Sequence, residues 1–99
     1  MPGIARLGDN SAGHGSFPPT PIISNCSTNV FVNGKPVALV GSILAPHTSG
    51  RVTHAGVQRE IIRGSSTTFV NGIAVARIGD PIADGDIVAA ASGDVFSGS

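Results

Sequence analysis

The chain repeats itself. Residues 27–48 lie on residues 65–86 with a constant shift of 38 and no gap, and nine of the 22 positions are identical. The identities are Ser27/Ser65, Phe31/Phe69, Val32/Val70, Asn33/Asn71, Gly34/Gly72, Val37/Val75, Ala38/Ala76, Gly41/Gly79 and Ala45/Ala83. A repeat at fixed period constrains the fold strongly, because every copy must build the same local structure and pack against its siblings. A third copy is cut in two. Its second half is Ala5-Arg6-Leu7-Gly8-Asp9, matching residues 38–42 and 76–80, and its first half is Ser92-Gly93-Asp94-Val95-Phe96, matching residues 27–31 and 65–69. The chain therefore starts and stops inside a unit. Pairing the C-terminal strand with the N-terminal strand would complete a third unit and remove the open sheet edges.

Each unit reads as a hairpin. Asn33-Gly34 and Asn71-Gly72 are the residues a two-residue type I′ turn prefers. Val30-Phe31-Val32 and Thr68-Phe69-Val70 precede the turns, Val37 to Val40 and Ala74 to Ile78 follow them, and Gly41 and Gly79 end the strands. The expectation is an all-β fold: a small cone of hairpins with pseudo-threefold symmetry, the two termini completing the third hairpin. Phe31, Phe69 and Phe96 hold the same place in the three units and are expected to form one core layer about the axis. Val57 to Arg63 reads as a short helix or a strand; its β-branched residues and the following Gly64 favour the strand. Pro18, Pro19 and Pro21 make residues 16–21 an extended, polyproline-like loop. No helix of three turns can be placed.

Composition narrows the function. With 99 residues the chain is one domain, and six basic side chains balance six acidic ones. Zero net charge excludes a polybasic binder of nucleic acid or of anionic membranes. Only 12 % of residues are charged, about half the usual share, which suggests a surface partly covered by a partner. A domain of this size buries only about 60–65 % of its unfolded surface. A single cysteine, Cys26, excludes an internal disulfide framework. No signal peptide is visible at Met1-Pro2-Gly3. The apolar run Ile87 to Ala91 is far shorter than the ~20 residues that span a bilayer. Asn25-Cys26-Ser27 matches a glycosylation triplet, but nothing indicates a secretory route.

The histidines carry the chemistry. His14 lies six residues after Gly8, and His47 lies six residues after Gly41, so two imidazoles occupy equivalent repeat positions. His54 follows on a Ser- and Gly-rich loop that can fold back. Three imidazoles suit zinc, with iron as the alternative. A closed structural site needs a fourth ligand. Asp84, five residues after Gly79, fits by position. Cys26 fits by chemistry, and both stay open. An enzymatic alternative, a metal-dependent hydrolase, would draw on Glu60 as base or Cys26 as nucleophile. No Ser, His and Asp arrangement stands out, so the chain reads as non-enzymatic.

The repeats resemble the PAAR-repeat proteins, which tip the spikes of contractile phage tails and type VI secretion systems. The name-giving motif falls on Gly3-Ile4-Ala5-Arg6, Pro36-Val37-Ala38-Leu39 and Ala74-Val75-Ala76-Arg77. None is a literal match. The flanking runs Val30 to Gly34, Phe69 to Gly72, Arg6 to Asp9, Arg77 to Asp80, and Gly13-His14-Gly15 with Phe17-Pro18-Pro19 carry more of the likeness. The resemblance implies a single PAAR-repeat domain over residues 1–99. It also implies a cone whose base sits on the blunt end of a trimeric β-helical spike, one copy per trimer, in transient contact with a target membrane. It implies a metal near the apex, held in relatives by three His and one Cys. His14, His47 and His54 fall where those ligands are expected, and Asp84 stands where the family cysteine belongs. The place of action it implies is a phage tail tip, or the bacterial cytoplasm followed by ejection. Effector cargo would have to bind non-covalently, since nothing extends before Met1 or past Ser99.

Overall fold

The structure, a computed structural model, describes residues 2–97. It is all-β, built from short strands: β1 (Ile22–Ser24), β2 (Phe31–Val32), β3 (Lys35–Pro36), β4 (Ile43–Leu44), β5 (His47–Ser49), β6 (Val52–His54), β7 (Phe69–Val70) and β8 (Ile73–Ala74). They pair antiparallel as β1–β4, β2–β3, β5–β6 and β7–β8. Among the described residues the helical content is one 3-10 turn, Gly56–Gln58, and no helix is long and apolar enough to cross a membrane.

Both Asn-Gly turns form. Asn33 and Gly34 have φ of 54° and 78°, and Asn71 and Gly72 have 53° and 82°. Two successive positive φ values are what a type I′ turn requires. The base of each hairpin is tied by a serine. Ser27, Ser65 and Ser92 each accept hydrogen bonds from the backbone amides two and three residues ahead, at 2.9–3.3 Å. The third unit is completed across the termini. Ile4 N–H donates to the Val95 carbonyl at 3.0 Å, Ser97 N–H to Pro2 at 2.9 Å, and Gly3 pairs with Phe96.

The segments that follow the hairpins meet in a closed triangle. Ile4 pairs with Arg77, Arg6 with Val37, and Leu39 with Val75. At its centre Ala5 N–H donates to Ala76, Ala76 to Ala38, and Ala38 back to Ala5, at 2.9, 2.9 and 3.0 Å. All three alanines are fully buried. Strand alternation then sends the neighbours to the opposite face. The alanines join Ile22, Leu44, Ile61, Ile82 and Val88 in one apolar cluster, while Ile4, Val32, Val37, Leu39 and Val75 form a second. Arg6 pairs with Asp9 at 3.0 Å, and Arg77 with Asp80 at 2.8 Å. Both carboxylates also accept the backbone amide of their own arginine. Ser42 does the same for Leu39 in the unit that lacks the arginine.

Two expectations are corrected. The phenylalanines form no core layer: Phe31, Phe69 and Phe96 are 55 %, 57 % and 47 % exposed. Each strand has one inward position beside the turn, and Val32 takes it, leaving Phe31 on the outer face. Both apolar clusters are filled by alanine and branched aliphatic side chains, with the phenylalanines in neither. Val57 to Arg63 is not a continuous strand either. It opens with the 3-10 turn and pairs only at Glu60, with Ile43, and at Ile61, with Ile82. The turn is set up by the Gln58 side chain, which accepts the Ala55 amide at 2.8 Å.

Candidate metal centre

Beyond the cluster around Leu44, Ile61 and Ile82, three loops converge. His14 is held by a tight turn in which His14 and Phe17 exchange both backbone hydrogen bonds, at 3.1 and 2.9 Å. Gly13 makes this possible: its φ is +79°, and a Cβ there would stand 2.7 Å from the Phe17 carbonyl oxygen. His47 and His54 face each other across the β5–β6 hairpin, which turns at Gly50. The foldback expected of this Ser- and Gly-rich loop is thus a regular hairpin, with Thr48 bonded to Thr53. Asp84 comes from the turn between Ile82 and Asp86, and its Oδ1 accepts the Asp86 amide at 3.2 Å.

Four donor atoms meet: His14 Nε2, His47 Nε2, His54 Nδ1 and Asp84 Oδ2. His47 Nε2 is 3.2 Å from His14 Nε2, 2.9 Å from His54 Nδ1 and 2.9 Å from Asp84 Oδ2. Asp84 Oδ2 is 3.0 Å from His54 Nδ1 and 3.4 Å from His14 Nε2. A tetrahedron of nitrogen and oxygen ligands around zinc, with bonds of about 2.0–2.1 Å, has edges of about 3.3 Å. The donor set fits such an ion on two further grounds. His47 Nδ1 lies 2.9 Å from the Pro18 carbonyl. Donation there leaves Nε2 as a bare lone pair, the arrangement that orients metal-binding histidines. With the imidazoles neutral, the buried cluster also sets two carboxylates, Asp84 and Asp86, against one guanidinium, Arg59. It is one positive charge short.

The chain matches the PAAR motif family over residues 12–90. It belongs to the PAAR-motif family. The matched span takes in all four converging residues of this PAAR chain and both complete hairpin units. No curated protein in the comparison matches it.

Burial alone would push the Asp84 carboxyl up. Hydrogen bonds from the Arg59 guanidinium and the Asp86 amide, with the charge of Arg59, outweigh it, and the carboxyl lies well below the usual carboxylate range. The other two proposed site residues lie apart. Cys26, the alternative fourth ligand, is not in the group. Its segment is held beside the first hairpin by the Ser27 amide on the Val37 carbonyl. Its sulfur packs against the core cluster near Ser24 and Ser42. Burial pushes this thiol up, with a smaller opposing effect from Ser42. Glu60, the base a hydrolytic reading needs, is exposed and outside the group.

Two participants were not legible in the sequence. Phe17 covers the imidazoles, its ring 4.0 Å from that of His54 and nearly parallel, and 4.9 Å from His14. Arg59 is fully buried and donates to Asp84 Oδ2 at 2.7 Å and to His47 Nε2 at 2.9 Å. The Arg59, Thr20 and Asp86 carbonyls accept from Leu44, Ser11 and Ile82, which lie three residues after Gly41, Gly8 and Gly79. The loops between these partners differ in length, so the repeat alignment carried no signal that would have placed Arg59 there.

Proposed function

We propose that this chain is the non-enzymatic tip that caps and sharpens the trimeric β-helical spike of a contractile injection apparatus, a phage tail or a type VI secretion system. Membership of the PAAR-motif family supports this reading. The observation that carries it is one polypeptide closing three repeat-equivalent segments into a hydrogen-bonded ring, Ala5 to Ala76 to Ala38. A single chain built this way can sit on a true threefold platform, one lid per trimer, and cover strand ends that would otherwise fray or aggregate. The 39 × 23 × 23 Å shape suits a point. Phe31, Phe69 and Phe96, half exposed at matching positions, are the apolar surface we assign to the spike.

His14, His47, His54 and Asp84 are the proposed ligands of a structural divalent ion, zinc first and iron second. An ion there cross-links loops from three parts of the chain where the molecule has no apolar core left to hold them. Phe17 stacks on the imidazoles of His14 and His54 and shields one face of the group. The test is stoichiometry. Mixed with a trimeric β-helical spike fragment from the same apparatus, the chain should give one complex of one tip and three spike chains by native mass spectrometry. Failure to form any complex overturns the reading.

A further inference from the structure

Arg59 uses all its donors inside the molecule. NH1 donates to Asp84 Oδ2 at 2.7 Å and to His47 Nε2 at 2.9 Å. NH1 and NH2 both reach Asp86 Oδ2, at 3.3 Å. NH2 donates to Ser11 Oγ at 3.0 Å and Thr20 Oγ1 at 2.8 Å, and Nε to the Ala45 carbonyl at 2.9 Å. So many partners fix the guanidinium plane. Asp84 is pinned at both oxygens: Oδ1 is taken by the Asp86 amide and Oδ2 by Arg59. Only Oδ2 also faces the histidines.

We propose that Arg59 is the positioning residue of the fourth ligand: it restricts Asp84 to a single oxygen and so sets the site to four donors. The inference rests on the metal-centre reading above. A free carboxylate binds a cation through one oxygen or two, and the second mode raises the coordination number. Here the second oxygen is turned to an amide, and rotation about the carboxylate would break the 2.7 Å bond to Arg59. The guanidinium NH1 lies 2.7 Å from Asp84 Oδ2 and 2.9 Å from His47 Nε2. His47 Nε2 has a single lone pair, so an ion bound there takes the place of that contact, whereas Asp84 Oδ2 has lone pairs for both the ion and Arg59. Three nitrogens and one oxygen in four-fold geometry select zinc or cobalt(II) over magnesium and calcium, which take six or more oxygens.

Cobalt(II) is the probe, because its visible bands are intense in four-coordination and weaken when a further donor binds. The double variant Arg59→Met/Asp86→Leu replaces a buried ion pair by apolar side chains, a change folds often tolerate, and it leaves the Asp86 amide in place. The expected result is a folded protein whose zinc affinity, measured by chelator competition, falls about 10–100-fold, and whose cobalt bands lose intensity. Arg59→Lys, which keeps a charged donor, should recover part of both. A double variant with the wild-type affinity and the wild-type spectrum overturns the role of Arg59 while leaving the metal centre standing. Wild-type protein that binds neither zinc nor cobalt overturns the metal centre, and this proposal with it.

Discussion

Truncating the repeated phenylalanines separates a core role from a docking role. Fully burying a phenylalanine side chain is worth about 1.5–3 kcal/mol. Phe31, Phe69 and Phe96 are 55 %, 57 % and 47 % exposed, so roughly half of that, about 1 kcal/mol each, is already used in the fold. A similar amount remains for a partner. Phe31→Ala should therefore lower the stability of the isolated chain by about 1 kcal/mol, a fall in Tm of about 4–8 °C for a domain of this size. The same substitution should weaken binding to a trimeric spike fragment about fivefold, and the triple variant should weaken it roughly a hundredfold. Calorimetry of the tip alone and titration against the fragment measure the two effects. A core phenylalanine would instead cost about 3–5 kcal/mol on its own. A loss that large from Phe31→Ala would refute the outward placement of these rings. An unchanged affinity in the triple variant would refute their assignment to the spike.

Removing the ion should expose what it contributes. Zinc present at a hundred times its dissociation constant adds about 2.7 kcal/mol, so chelation should lower Tm by about 10–20 °C, and His47→Ala should abolish that difference. Asp84 titrates below the ordinary carboxylate range when folded. Its contribution is complete above the unfolded value of about 3.9 and is lost as pH falls through the folded value. Denaturant unfolding of metal-free protein should therefore weaken more steeply below about pH 4 in the wild type than in Asp84→Asn. Cys26→Ser should leave zinc content unchanged, and because burial holds the thiol up, alkylation of Cys26 near neutral pH should be slower than that of a free thiol.

The hairpins were readable because type I′ turns are chosen by the two residues in them. Asn33-Gly34 and Asn71-Gly72 need no distant help to adopt positive φ. Pairing of Gly3 with Phe96 followed from a unit split across the termini. The equivalence of His14 and His47 was visible as a shared offset from Gly8 and Gly41, and their Nε2 atoms lie 3.2 Å apart. Spacing favoured Asp84 over Cys26 only slightly and chemistry favoured Cys26, because the choice depends on which loop a core contact holds back. Ser27 on Val37 keeps Cys26 near the hairpin.

Sequence alone determined the number of units, their turns and where they join, since these are local preferences copied along the chain. Tertiary structure alone decided which side chains are buried. Three backbones crossing at Ala5, Ala38 and Ala76 come within hydrogen-bond distance, and both apolar clusters are filled without the phenylalanines, which stay at the surface. Beyond the apolar cluster around Leu44, Ile61 and Ile82, the interior is polar: a buried guanidinium, two carboxylates and three imidazoles meet there. Such a group is stable only when every member finds its partner, a condition set by positions in space that no window of the chain contains.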